Sequence, residues 1–321
     1  LKKFAKTAIP IAIGLLILAL WFRTTSAEDR DQIWFHISHV PLHWVFFSVL
    51  LGVASHLSRA IRWNYLLEPL GHRPRVLGNF LMIMIAYFAN LGIPRSGEVL
   101  RATALANYEK VPFEKGFGTV VTERIVDLLM LLMILTTAGI MQTRILYAYF
   151  RSKGSSLLLL LVVGLLGIGL LIVLIRQLKK SESPFAIKLR RFLDGLVQGI
   201  GSILKMERRW EFIGHTLFIW FCYVGMFWIL KFAFPATTGI PFFSVLAGFI
   251  AGAFAMSTTN GGVGLYPVAV GSTLALLGVE ENSGSAMGWI IWISQTLMVV
   301  VLGTISFVSL PFLYGRRNRQ A

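Results

Sequence analysis

Cysteine is nearly absent from these 321 residues, acidic side chains are few, and charge of either sign is sparse. The lone Cys222 lies in an apolar run, which excludes internal disulfides and cysteine-based metal sites. Histidine adds little: no H-E-x-x-H pair is present, and the three at helical spacing, His36, His39 and His43, read as a wet loop or helix end. No Walker motif occurs, so ATP hydrolysis by this chain is not expected, and neither a metal nor another cofactor is expected. With 14% charged residues against 56% hydrophobic and a mean hydropathy of +0.72, the chain reads as an integral membrane protein. Lys and Arg outnumber Asp and Glu by 30 to 15. In such a chain the excess marks cytoplasmic loops beside anionic headgroups, and no nucleic-acid partner is expected.

What is abundant is apolar sequence in long runs. A spanning helix needs about 20 mostly apolar residues. Thr7–Phe22, Leu42–Leu57, Thr119–Met141, Ser156–Ile175, Phe212–Phe234 and Met287–Leu310 fit that requirement. The first of these is read as an uncleaved span, with a signal peptide cut after Ala27 as the alternative. Two more apolar regions are interrupted, Val76–Leu105 by "GIPRSGE" and Phe242–Leu277 by "STTNGGVGLYP".

Charge assigns the sides. Lys2, Lys3 and Lys6, the tail "GRRNR", and a segment from Arg176 to Arg209 with nine basic residues against three acids all belong in the cytoplasm. The expected location is a bacterial cytoplasmic membrane, with both termini inside. Following the chain, the first interrupted region starts and finishes inside, and the second starts and finishes outside. Each is therefore expected to be a re-entrant hairpin or a pair of broken helices, with ten full spans as the alternative. Non-helical backbone at that depth requires cover from protein or water.

The expected fold is an all-α polytopic membrane protein, about six full spans plus two such hairpins in an inverted repeat. It forms a single membrane domain over residues 1–321. The first half covers 1–176 with a cytoplasmic-side hairpin at 76–110. A basic amphipathic linker at 177–210 suits the membrane surface. The second half covers 211–315 with an external-side hairpin at 240–280. Trp21, Trp34, Trp44, Trp63, Trp210 and Trp289 read as an interfacial belt, and Lys231 with His215 as an end-snorkelling pair.

The charges inside this apolar chain carry the functional signal. "SRAIRW" sets Arg59 and Arg62 on one helical face at a span end, where snorkelling anchors are the competing reading. "PRSGEVLR" spaces Arg95, Glu98 and Arg101 by threes, again one face if Ser96 starts a helix. Pro94 and Gly97 supply the break there, and freed amides at that helix start suit an anion. "TERIVD" adds Glu123, Arg124 and Asp127. Five arginines thus face three carboxylates, a surplus of two positive charges. The acids either hold hairpin against span or carry protons. The surplus arginines match a phosphate, which the planar guanidinium fork grips in bidentate fashion. In the second hairpin, Asn260, Gly261, Gly262 and Gly264 form an uncharged turn that either packs on the first hairpin or touches a ligand.

"RAIRWNYLL", "ANLGIPRSGEVLRATAL", "VVTERIVDLL" and "NGGVG", in that order, resemble the lysylphosphatidylglycerol synthase transmembrane, or flippase-like domain, family. That family includes the membrane half of the multiple peptide resistance factor. The resemblance covers nearly the whole chain. It implies an α-helical lipid-translocating domain, acting on aminoacylated phosphatidylglycerol in the best understood members. It maps onto Arg95, Gly97, Glu98, Arg101, Glu123, Arg124 and Asp127 as core motif positions. The chain ends at Ala321 without a soluble aminoacyl-transferase domain, so lipid aminoacylation is not expected. Many relatives carry a glutamate after the glycine-rich turn, where this sequence has Tyr266 and Pro267.

The expected function is therefore a flippase for a phosphate-bearing lipid, not an enzyme. The headgroup would be held by Arg59, Arg62, Arg95, Gly97, Glu98, Arg101 and Arg124, with Glu123 and Asp127 as coupling or structural acids. The alternatives are a membrane-embedded, lipid-linked transferase working through the acidic cluster Glu28–Asp31, and a non-transporting accessory subunit.

Overall fold

The computed structural model describes residues 25–141, 206–259 and 261–315, together with isolated positions at 19, 22, 23, 183 and 187. Every regular element among them is helical. In chain order these are α1 (Ala27–Ser38), α2 (Leu42–Leu67), α3 (Val76–Gly92), α4 (Ser96–Glu109), α5 (Phe113–Met141), α6 (Arg209–Leu230), α7 (Pro235–Thr238), α8 (Phe242–Thr258), α9 (Leu265–Leu276) and α10 (Glu281–Gly315). Cα packing divides the chain into two compact units, residues 1–121 with 210–321, and residues 122–209.

Four helices among the described residues are long and apolar enough to cross a membrane: Leu42–Leu70, Phe113–Met141, Arg209–Ala233 and Glu281–Tyr314. They coincide with four of the six expected spans. The other two, Thr7–Phe22 and Ser156–Ile175, lie outside the described residues, as does most of the amphipathic linker. The structure lengthens all four. α2 continues through Arg59 and Arg62 to the 3-10 turn at Glu68–Leu70, where Pro69 removes a backbone donor and Gly71 adopts φ 81°. α5 starts six residues before Thr119, at Phe113, with Glu114 in its first turn where the helix dipole favours an acid.

The two interrupted apolar regions are each a pair of short helices packed on one another, α3 with α4 and α8 with α9. α10 carries both pairs. Near its N-terminus it lies against α9, so closely that a Cβ on Gly288 would sit 2.9 Å from Pro267 Cα. Toward its C-terminus it lies against α3, where a Cβ on Gly303 would sit 2.4 Å from Phe88 Cβ. Fifteen residues of helix, about 22 Å, separate these contacts. The pairs approach between them: a Cβ on Gly261, in the α8–α9 turn, would lie 3.4 Å from Leu91 Cδ2 near the end of α3. Trp292, in the middle of α10, donates its indole N–H to the Gly261 carbonyl at 2.7 Å.

Candidate functional site

The site is organised by α2. Its buried residues include Ser48, Gly52, Ser55, Arg59 and Arg62, spaced by threes and fours and so stacked on one face. Ser48 Oγ donates to the Met226 carbonyl and Ser58 Oγ bonds His215 Nδ1 at 2.8 Å, which ties α2 to α6. Asn79 Nδ2 donates to Asn64 Oδ1 at 2.8 Å and to the Ala60 carbonyl at 3.2 Å, which ties α2 to α3. Ser48, Ser58 and Asn64 thus each spend a side-chain bond on a neighbouring helix.

Three arginines gather here. Arg59 is 1% exposed and donates to the Tyr223 hydroxyl at 3.0 Å. Arg62 is fully buried, donates to Thr216 Oγ1 at 3.0 Å and lies 5.4 Å from the centre of the Phe212 ring. Arg101, from α4, is buried with its guanidinium 3.7 Å above the Trp63 ring. Trp63 in turn is fully buried and donates its N–H to Thr119 Oγ1 at 2.8 Å. It thus belongs to the floor of the arginine cluster rather than to the interfacial belt, because Thr119 and Arg101 satisfy its polar edge and its ring face. Burial against α6 also removes the snorkelling reading of Arg59 and Arg62. Trp34 and Trp210 are exposed, as belt residues would be.

The "PRSGE" break is built for close approach. Arg95 caps α4 from the left-handed region at φ 62°, and its side chain is exposed. Glu98 is half-buried and Arg101 buried, so the three spaced charges run from the surface into the interior. A Cβ on Gly97 would sit 2.1 Å from the Ala86 carbonyl oxygen. The first two amides of α4 are committed within the pair: Ser96 N–H donates to the Ile93 carbonyl at 3.1 Å and Gly97 N–H to Asn90 Oδ1 at 2.7 Å. Those two therefore serve the turn and not an anion. In the other pair, Gly261, Gly262 and Gly264 take φ of 65°, 80° and 72°, conformations that side chains resist, while Asn260 lies outside the described residues. Tyr266 is buried against Gly252.

In the second unit, Glu123 on α5 is fully buried, and Arg124 lies 4.0 Å from Asp127 one turn on. Lys231 departs from the snorkelling expectation. It is 5% exposed, donates to the Ile240 carbonyl at 2.8 Å and rests 3.9 Å from the Trp228 ring centre. A carbonyl and an aromatic face hold the ammonium in place.

At the start of α1, Glu28, Asp31, Gln32, Phe35 and His36 line a shallow cleft. Asp29 does not join them. Ser26 Oγ donates to its carboxylate at 2.6 Å and Asn282 Nδ2 at 2.9 Å, docking α1 on the start of α10. These bonds, that from Ser26 first, hold the Asp29 carboxyl below its ordinary value of 3.8. A depressed folded value contributes stability above the unfolded value and loses it as pH falls through the folded one. Docking of α1 is thus expected to be intact at pH 5 and above, and to loosen only below pH 4. Fluorescence of the exposed Trp34 through an acid titration reads this out, and Asp29→Asn should remove the transition.

The neighbours of the arginines that sequence reasoning did not assign to a site are Trp63, Thr119, Thr216 and Tyr223. Continuing the three-and-four spacing past Leu57 finds Trp63. The partners on α5 and α6 have no local signal.

The profile of the family described as "Lysylphosphatidylglycerol synthase TM region" matches residues 7–303. A UPF0104 membrane protein of Methanocaldococcus jannaschii is 27% identical over 129 residues, 39% of this chain and 37% of that protein's length. No solved structure matches. The match over nearly the full length joins four spanning helices to the motif positions on α2, α4 and α5: this multi-pass membrane protein belongs to the lysylphosphatidylglycerol synthase TM region family.

Proposed function

We propose that the chain translocates a phosphate-bearing lipid across the membrane, holding the headgroup at Arg59, Arg62 and Arg101. The observation that carries this reading is the burial of three arginines, Arg59 and Arg62 on one face of a spanning helix and Arg101, from one arm of a broken pair, over Trp63 of that same helix. Ionisable groups inside a bilayer each cost about 2.5–3.5 kcal/mol on insertion scales and mark substrate pathways. Planar donors in a low dielectric match phosphate oxygens. Two helix pairs that approach each other from opposite ends of α10 supply the moving parts, as two inverted halves rocking about a midplane site. Glu123 and Asp127 would serve as coupling or structural acids. No chemical step is assigned to the chain.

Purified protein in vesicles should accelerate inward and outward exchange of a fluorescent phosphatidylglycerol at least tenfold over a fluorescent glycosyl diacylglycerol, which lacks the phosphate. Equal rates for the two lipids, or none above protein-free vesicles, would discard the reading.

A further inference from the structure

Tyr314 is 5% exposed although it stands in the last turn of α10. Three features seat its side chain. The hydroxyl donates to Glu109 Oε1 at the end of α4. The ring lies 4.9 Å from the ring of Tyr108, the residue before Glu109. A Cβ on Gly78, in the first turn of α3, would sit 2.3 Å from the hydroxyl oxygen, so the missing side chain there is the notch that the hydroxyl fills. One side chain of α10 thus joins the start of α3 to the end of α4, at the ends of that pair remote from its break.

The helix that carries Tyr314 has a weak point one turn earlier. Pro311 lies inside α10 and has no amide proton for the Phe307 carbonyl, and its ring crowds that oxygen. Prolines of this kind are where helices bend. What the tyrosine holds is α4, and α4 carries Arg101. Glu109 follows Arg101 by eight residues, about two turns. At its other end α4 rests on α3 through Gly97. Between these two supports Arg101 and Ala102 are buried, and the Arg101 guanidinium lies over Trp63.

We propose that Tyr314 is a latch on the α3–α4 pair: the last turn of α10 pivots at Pro311, and release of Tyr314 from Glu109 and Gly78 lets α4 lift Arg101 off Trp63. The latch is closed in this structure. Its purpose rests on the phosphate-lipid reading. It regulates when the Arg101 side of the headgroup site opens, toward the face that the charge distribution assigns to the cytoplasm.

The experiment uses the purified full chain in detergent and measures how fast a water-soluble methanethiosulfonate modifies a cysteine under α4. Ala102→Cys puts that reporter beside Arg101, at a buried position. The native Cys222, buried on α6, gauges global opening in the same sample. When closing outpaces reaction, modification of a buried thiol follows the population of the open form. Adding Tyr314→Phe, which keeps the ring and deletes the hydroxyl, should speed modification at position 102 about tenfold, the weight of one hydrogen bond to a charged group. Gly78→Ala, which fills the notch, should do the same with Tyr314 and Glu109 intact. Pro311→Ala, which stiffens the pivot, should slow it. Modification of Cys222 should be the same in all of these proteins. An unchanged rate at position 102 in Tyr314→Phe and Gly78→Ala overturns the latch. A rise that Cys222 shares overturns it too, since Tyr314 would then only stabilise the fold. A rate that Pro311→Ala leaves unchanged removes the pivot on which the proposal depends. Because no lipid enters the assay, a protein that labels as expected yet moves no phosphatidylglycerol keeps the latch and loses the translocation reading alone.

Discussion

Arg101→Gln should weaken binding of a phosphate-bearing lipid by roughly 10- to 150-fold, the about 1.5–3 kcal/mol of a charge-assisted hydrogen bond in buried surroundings. Arg101 is the informative member of the cluster. Arg59 and Arg62 each donate to a hydroxyl of α6, so their removal also takes a donor from Tyr223 and Thr216. Arg101 comes from α4 and stacks on Trp63. A lysine there keeps the charge above the ring but loses the planar fork. Arg101→Lys should therefore fall between parent and Arg101→Gln for phosphatidylglycerol. For a phosphate-free glycosyl diacylglycerol, all three should bind alike. A purely structural arginine would depress both lipids together and shift the melting temperature in step. Isothermal titration of the three proteins against both lipids separates these outcomes.

The second large effect concerns the turn that delivers Arg101. Gly97→Ala places a methyl where the Ala86 carbonyl oxygen lies 2.1 Å away and the Asn90 side chain 2.9 Å away. The first obstacle is backbone, which cannot rotate aside, so α4 must move off α3. Separation then strains or breaks the 2.7 Å bond from Gly97 N–H to Asn90. Overpacking costs about 1–3 kcal/mol and an orphaned buried group a similar amount. Together that is about 3 kcal/mol or more, enough to lose most of the folded protein. Gly92→Ala is the control, because nothing lies within 4 Å of its added carbon. It should be neutral or stabilise by about 0.4–1 kcal/mol through the unfolded chain. Detergent melting curves of both variants test the pair. Similar curves would show that α3 and α4 are not closely packed in the membrane.

The sequence by itself determined the membrane class, four of the spanning helices and the breaks. Those properties are local: an apolar run long enough to cross lipid has no other stable home, and Pro94, or the run Gly261, Gly262 and Gly264 with its positive φ angles, breaks a helix. It also picked out Arg59, Arg62 and Arg101, because a charge in an apolar run is conspicuous without any knowledge of its partners. Tertiary structure decided what each charge meets. Arg62 faces Thr216 and Ser58 faces His215 across more than 150 residues of chain, and no spacing rule reaches that far. The same holds for Trp63, whose position near a span end suggested an interfacial anchor until Thr119 and Arg101 closed around it. Arg95 and Arg101 share one motif, yet one caps a helix at the surface and the other is buried. That difference comes from the packing of α4 on α3, which hides one face of the helix and leaves its first residue outside.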